Sequence, residues 1–244
     1  MKESSPLSKA VSKSDELPQT KKVAEVIRIG ERVDYLGNKF VYDSYNQDPD
    51  SVEPNKFGYK VFFTRDRDLI DEFAEMRTGA YLEEFAKGDM IAFGKIQESF
   101  DRKGKILVVV KNGALIGGMR LMFSDDCKYL SNEYPGTQFE YRHVLRRYGE
   151  NEASRIVEVA GVVVKKGLRD FSATESMFEF VIKVALINKC SYIFGTALIT
   201  ACRLYRIIFD KFDRYLEIVL SHPWERKEIF GFAKMFPIYV KLSK

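Results

Sequence analysis

One stretch constrains the fold of this chain more than any other, the run from Lys105 to Phe123. Lys105-Ile106-Leu107-Val108-Val109-Val110 is rich in β-branched residues, breaks at Lys111-Asn112-Gly113, and returns as Ala114 to Phe123. β-branched side chains suit a pleated sheet, and Asn-Gly supplies the two positive φ angles of a tight hairpin turn. An antiparallel pair of strands is therefore expected in the middle of the chain, and the other elements must be arranged around it.

Ahead of the hairpin, Gly58 to Thr64 reads as a strand. Asp66 to Phe85 then places Leu69/Ile70, Phe73/Ala74, Met76/Ala80 and Tyr81 at helical spacing. Asp66 and Asp68 open that helix, where the helix dipole favours negative charge. Beyond the hairpin, a helix is expected from about Gln138 to Tyr148 and a strand from Arg155 to Val164. A long helix follows over Ser172 to Lys189, then a short strand at Tyr192-Ile193-Phe194 and a helix around Ile199 to Phe209. β-rich segments near Tyr215 to Leu220 and Phe236 to Val240 end the pattern. The sum is an α/β chain with one domain, its central sheet mixed but mostly antiparallel and flanked by helices. Residues 1–22 carry few large apolar side chains and are expected to be disordered. Residues 23–57, with Gly37-Asn38 between Leu36 and Phe40, read as a β-rich extension of the domain at 23–244.

Composition narrows the function classes. Of 244 residues 30% are charged, yet the net charge is only +4, too small an excess to argue for nucleic-acid binding. No apolar run approaches the roughly 20 residues of a membrane span, and Met1 to Lys22 lacks the apolar block of a secretory signal. Three cysteines without a CxxC pair read as reduced cytosolic thiols, so a cytoplasmic location is expected. Two histidines make a multi-histidine metal site unpromising, and no metal is expected.

Several residues stand out chemically. Glu158 is a carboxylate in an apolar strand (Ile156, Val157, Val162, Val163), where burial raises the pKa toward that of a useful base. The competing reading is a Glu held by a structural arginine, Arg155 or Arg120. Arg77 and Arg120 could grip a carboxylate in a bidentate fork, although Arg77 is also an ordinary position on the outside of an amphipathic helix. Asp101 either holds an ammonium or ends a loop. Val162, Val163 and Val164 are, taken alone, a buried β-branched run. Arg142, His143, Arg146 and Arg147 form one face of the helix at Gln138–Tyr148, with Lys165, Lys166 and Arg169 downstream. That face is either solvated or a dock for an acidic protein.

The element order resembles that of the GNAT acyltransferases over roughly Tyr59 to Val219. More narrowly, it resembles the branch containing acyl-homoserine lactone (autoinducer) synthases and long-chain N-acyl amino acid synthases. The features that carry this are Arg77 with Tyr81, Asp101, Gly117-Gly118-Met119-Arg120-Leu121, and Glu158-Val159-Ala160-Gly161-Val162-Val163-Val164. Gly161 departs from the pattern, since autoinducer synthases carry an arginine there. Arg169-Asp170-Phe171-Ser172-Ala173-Thr174 also lacks the small residues of a coenzyme-A pyrophosphate loop.

The resemblance implies a sheet that splays beside Val162, Val163 and Val164. Pantetheine would pair with that edge as an added strand, with Lys165 and Arg169 nearby. Arg77, Tyr81, Asp101 and Arg120 would bind the acceptor, and Glu158 would act as the base. No permanently bound cofactor is implied; the donor is acyl-phosphopantetheine on acyl carrier protein, or acyl-CoA. The degraded loop favours the carrier protein, which brings a single phosphate. The implied reaction is transfer of a medium- or long-chain acyl group to the amine of an amino acid. Autoinducer synthesis from S-adenosylmethionine and a non-catalytic acyl- or carrier-binding module are the alternatives.

Overall fold

The computed structural model describes residues 49–84, 101, 104–123, 155–167, 171–218 and 234–242. The expected N-terminal tail, the Gly37-Asn38 turn, the basic helix at Gln138–Tyr148 and Arg169 lie outside these residues.

Strand β1 (Lys60–Thr64) leads into helix α1 (Arg67–Glu84). Thr64 and Asp66 set the junction. The Asp66 carboxylate accepts the backbone N–H groups of Asp68 (2.9 Å) and Leu69 (3.3 Å), and Thr64 Oγ1 accepts that of Asp66 (3.0 Å). Asp66 thus caps α1 by satisfying N–H groups that have no partner within the helix. The hairpin follows as β2 (Lys105–Lys111) and β3 (Ala114–Phe123). Asn112 (φ 51°) and Gly113 (φ 77°) are both left-handed, as the Asn-Gly pair required.

Next come β4 (Ile156–Val164), α2 (Phe171–Ile187), β5 (Tyr192–Leu198), α3 (Ile199–Asp210), β6 (Leu216–Ile218) and β7 (Met235–Lys241). β5 runs four residues beyond its expected end at Phe194, because β7 pairs with its whole length, from Tyr192↔Lys241 to Leu198↔Met235. The seven strands form one sheet in the order β1-β2-β3-β4-β5-β7-β6. Every adjacent pair is antiparallel except β4–β5, which α2 crosses over to make parallel. This matches the mixed, mostly antiparallel sheet expected from the sequence.

Alternation within the strands buries both faces of the sheet. Leu107 and Val109 of β2 join Met177, Phe178 and Val181 of α2 and Ile208 and Phe209 of α3 on one face. Ile106, Val108 and Val110 join Phe62 and, from α1, Phe73 on the other. The helices therefore sandwich the sheet, α2 and α3 on one side and α1 on the opposite side.

An irregularity in β4 reverses this alternation. Val163 pairs with Gly118 but Ala160 with Arg120, so β4 carries one residue more than β3 across this step. Gly161, at φ +63°, lies within the bulge in a conformation that costs other residues about 1–2 kcal/mol. Before the bulge Val157 and Val159 face α2 and α3; after it Val163 faces α1. Glu158, between Val157 and Val159, consequently points toward the α1 side.

Candidate active site

β4 and β5 pair over only four positions, Ile156↔Tyr192 to Val159↔Gly195. Past Gly195, β5 stays with β7 while β4 stays with β3, and the sheet opens between them. The edge of β4 from Ala160 to Val164 therefore has no strand partner on its β5 side among the described residues. A cavity of about 490 Å³ occupies this opening. Val159 to Val164 form one wall and Ile193, Phe194, Ala197 and Leu198 the other. Phe171, Phe178, Leu204, Tyr205 and Phe209 close it from α2 and α3, and Tyr81 reaches it from α1. Helices on opposite faces of the sheet thus contribute to a single cleft, which is possible only where the sheet is parted. The cavity suits a chain-like, largely apolar ligand whose amides can pair with a bare strand edge.

The charged residues singled out in the sequence converge at the bulge. Arg77 and Arg120 are each only 2% exposed. Arg77 Nη1 donates to Asp101 Oδ1 (3.0 Å) and its Nη2 to Oδ2, while Arg120 Nη1 also donates to Oδ1 (3.2 Å). Asp101 therefore bridges the two guanidinium groups that were expected to grip an acceptor carboxylate. Arg77 also stacks over the Phe73 ring at 4.9 Å. Gly161 explains how it fits: a Cβ there would lie 3.1 Å from Arg77 Cδ and 3.3 Å from its Nη1. The position where the resemblance has an arginine is filled by the arm of Arg77.

Glu158 lies opposite Met122 in the register, diagonal to Arg120 on the same face of the β3–β4 pair. Burial pushes its carboxyl up to about 7, with the nearby Arg120 cation pulling the other way. Burial thus dominates attraction, and the group exchanges its proton near neutrality. Tyr81, one turn beyond Arg77, has its phenol raised by burial and lowered in part by Arg77 and Arg120.

Across the cleft, burial raises the Tyr205 phenol, with Tyr81 and Cys202 adding to the effect. Tyr205 was not among the expected site residues. On the amphipathic helix at Ile199–Phe209 its spacing is that of a core aromatic, and it does pack edge-on against Phe178 at 4.8 Å. Its hydroxyl is what the helical pattern cannot distinguish. Lys165 ends β4 by donating its N–H to Ile116 O at 2.8 Å, at the open end of the Val162–Val164 edge. Glu158 is not part of the cavity lining.

Among the described residues no helix is long and apolar enough to cross a membrane. No protein-family model matches the chain, and no curated protein matches it in sequence. Solved structures do match in shape. An N-acyl amino acid synthase from uncultured soil microbes, FeeM, superposes with a TM-score of 0.55 at 13% identity, over 75% of this chain and 91% of that one. The acyl-homoserine lactone synthase LasI superposes with a TM-score of 0.53 at 12% identity, over 76% of this chain and 90% of that one. The chain thus shares its overall fold with these two synthases, members of the branch whose element order its sequence resembles.

Proposed function

We propose that this chain is an N-acyltransferase that moves a medium- or long-chain acyl group from a pantetheine thioester to the amine of an amino acid. The observation that carries the proposal is the edge of β4 from Ala160 to Val164, unpaired on its β5 side among the described residues, which borders a cavity of about 490 Å³ on the same strand as Glu158. A pantetheine arm has two amides and an extended shape, and such an edge can receive it as an added strand.

An acceptor amine is mostly protonated near pH 7 and is not a nucleophile in that state. Glu158, exchanging its proton at about 7, is matched to removing that proton directly or through water. The amine nitrogen then attacks the thioester carbon. N–H groups on the free strand edge stabilise the oxyanion that forms. Collapse of the intermediate forms the amide, breaks the C–S bond and leaves a thiolate. Tyr205, whose ring lines the cleft, is placed to hand a proton to that sulfur. No covalent enzyme adduct is needed: the ammonium proton goes to Glu158 and on to solvent, a second proton leaves the nitrogen of the tetrahedral intermediate for solvent as the C–S bond breaks, and the sulfur takes a proton from Tyr205, which regains one from solvent.

The acceptor class follows the N-acyl amino acid synthase among the chain's structural neighbours. Gly161 argues against the autoinducer synthase alternative, because an arginine there would collide with Arg77. Acyl carrier protein is the proposed donor, on the sequence of the loop ahead of α2. In the same reading the chain acts in the cytoplasm, with the buried Cys190 and Cys202 as free thiols. The test is to incubate the protein with matched acyl-carrier and acyl-CoA donors and an amino-acid mixture, then search for N-acyl products by mass. Amide formation, faster with the carrier donor, is expected. No thioester consumption with either donor would sink the enzymatic reading, and a clear preference for acyl-CoA would remove the carrier protein from it.

A further inference from the structure

The two walls of the cleft are tied together at one rung. β4 and β5 pair from Ile156↔Tyr192 to Val159↔Gly195, and that last rung is where the sheet begins to open. A Cβ on Gly195 would lie 2.7 Å from the backbone oxygen of Val159, closer than a side chain tolerates. Nothing in the backbone of Gly195 itself calls for glycine, since its φ is not positive. The close approach of the two backbones does call for it.

The neighbours of Gly195 show what this contact controls. Ile193, Phe194, Thr196, Ala197 and Leu198 line the cavity, while Gly195 does not; on β4 the lining starts at Val159. The residue that touches β4 is thus flanked on both sides by the β5 wall, and a shift of β5 at this rung carries the wall with it. On its far side β5 is paired with β7 over its whole length. Gly195 stands opposite Ile238 there, whose Cγ1 would be 3.8 Å from the same Cβ, an ordinary contact. The tight side is the side of the cleft.

We propose that Gly195 sets the width of the cleft at its apex, and with it the bulk of the acyl group that the cleft accepts. With no side chain at this position the β5 wall closes onto Val159. This rests on the reading of the cleft as the donor site. A methyl group added at Gly195 meets a backbone oxygen, which cannot rotate aside as a side chain can, so β5 moves off β4 and the cleft widens.

The experiment compares the parent with Gly195→Ala and uses Gly118→Ala as the control. A Cβ on Gly118 would also lie 2.7 Å from a backbone oxygen, that of Leu107, but on the β2 side of β3 and away from the cleft. Calorimetry with straight-chain and methyl-branched acyl-pantetheines, in the absence of any acceptor, reads the affinity for each. The branched-to-straight ratio should rise by about 10-fold or more in Gly195→Ala, the discrimination that one methyl-sized group carries in an apolar pocket. It should keep the parent value in Gly118→Ala. Amide exchange should quicken in the β4–β5 ladder of Gly195→Ala alone. An unchanged ratio in Gly195→Ala overturns the proposal, and so does an equal rise in Gly118→Ala, which would mark a general loosening. A Gly195→Ala protein that does not fold overturns it too, because β5 then cannot yield at this rung. If the ladder loosens as described while no protein, parent included, binds either acyl-pantetheine, the donor reading of the cleft falls and the hold of Gly195 on the β5 wall stands.

Discussion

On the side of the sheet covered by α2 and α3, Val157, Val159, Ile193, Phe178 and Phe209 pack together, and the carboxylate that α2 buries, Glu175, is paired with the exposed Lys211 and Lys56. On the side covered by α1, the same strands present Arg120 and Glu158, and α1 adds Arg77. The first side resembles the interior of any α/β protein. The second buries charge that costs stability unless paired, an arrangement expected where a fold gives up stability for chemistry. Among the described residues the two sides meet where β4 and β5 part, and there Tyr81 and Tyr205 reach the same cleft from opposite faces. The difference teaches that one strand, β4, can present an apolar cleft edge and a buried carboxyl at neighbouring positions. The bulge at Gly161 is what reverses the alternation of β4 between the two sides.

The most forceful way to break this division is Glu158→Gln. If the α1 side does the chemistry, kcat should fall by about 10²- to 10⁴-fold at neutral pH and recover in part as pH rises and more acceptor amine is neutral unaided. A variant whose rate parallels that of the parent at every pH would remove Glu158 from the mechanism.

Phe178→Ala probes the other side. Phe178 is 1% exposed and packs on Tyr205 and Phe209 at 4.8 and 4.9 Å. Its loss should cost about 3–5 kcal/mol in urea unfolding while leaving turnover of short-chain donors largely intact. A collapse of kcat with unchanged stability would mean the faces are not divided in this way.

Glu158 should also show itself in stability against pH. Its folded value, about 7, lies above its ordinary value of 4.5, so the folded chain holds this proton more tightly. The stabilisation is complete below pH 4.5 and is lost as pH rises through about 7. Relative to the parent, Glu158→Gln should therefore gain about 1–3 kcal/mol on passing from acid to alkaline pH. Chemical denaturation at several pH values checks the sign, and a constant difference would show that burial does not perturb Glu158.

The smallest expected effect sharpens the picture at the bulge. Gly161→Ala meets both a positive φ and the arm of Arg77. It should cost about 1–2 kcal/mol in thermal or chemical unfolding, with the loss in kcat exceeding that for alanine at Gly79, where nothing lies within 4 Å.

How much of this could be read from the sequence depends on the range of the interaction. The hairpin, α1 and α2 were legible because their signals are local: Asn112-Gly113 in one turn, apolar residues at three- and four-residue spacing in the helices. Glu158 was legible for the same reason, as a carboxylate among β-branched neighbours. The pairing of Arg77 with Asp101 spans 24 residues, and nothing in either segment says that the other will occupy it. The true end of β5 was missed because Gly195-Thr196-Ala197-Leu198 carries little strand signal of its own and is held by β7. Gly161 could be seen as a departure from a pattern, but its positive φ and its contact with Arg77 exist only once β3 and β4 are paired.

The short parallel ladder between β4 and β5 also has a consequence for the order of assembly. β2 and β3 meet across a two-residue turn, whereas β4 and β5 can pair only after α2 has brought the chain back, a slower closure. Refolding followed by amide exchange is expected to protect Leu107 and Val109 before Ile193 and Ala197. Until β5 arrives, the whole length of β4 is an unpaired edge, apolar and β-branched, of the kind that recruits other chains. The opening between β4 and β5 is thus, for a chain still folding, the place most exposed to misassociation, and refolding yield should fall with protein concentration.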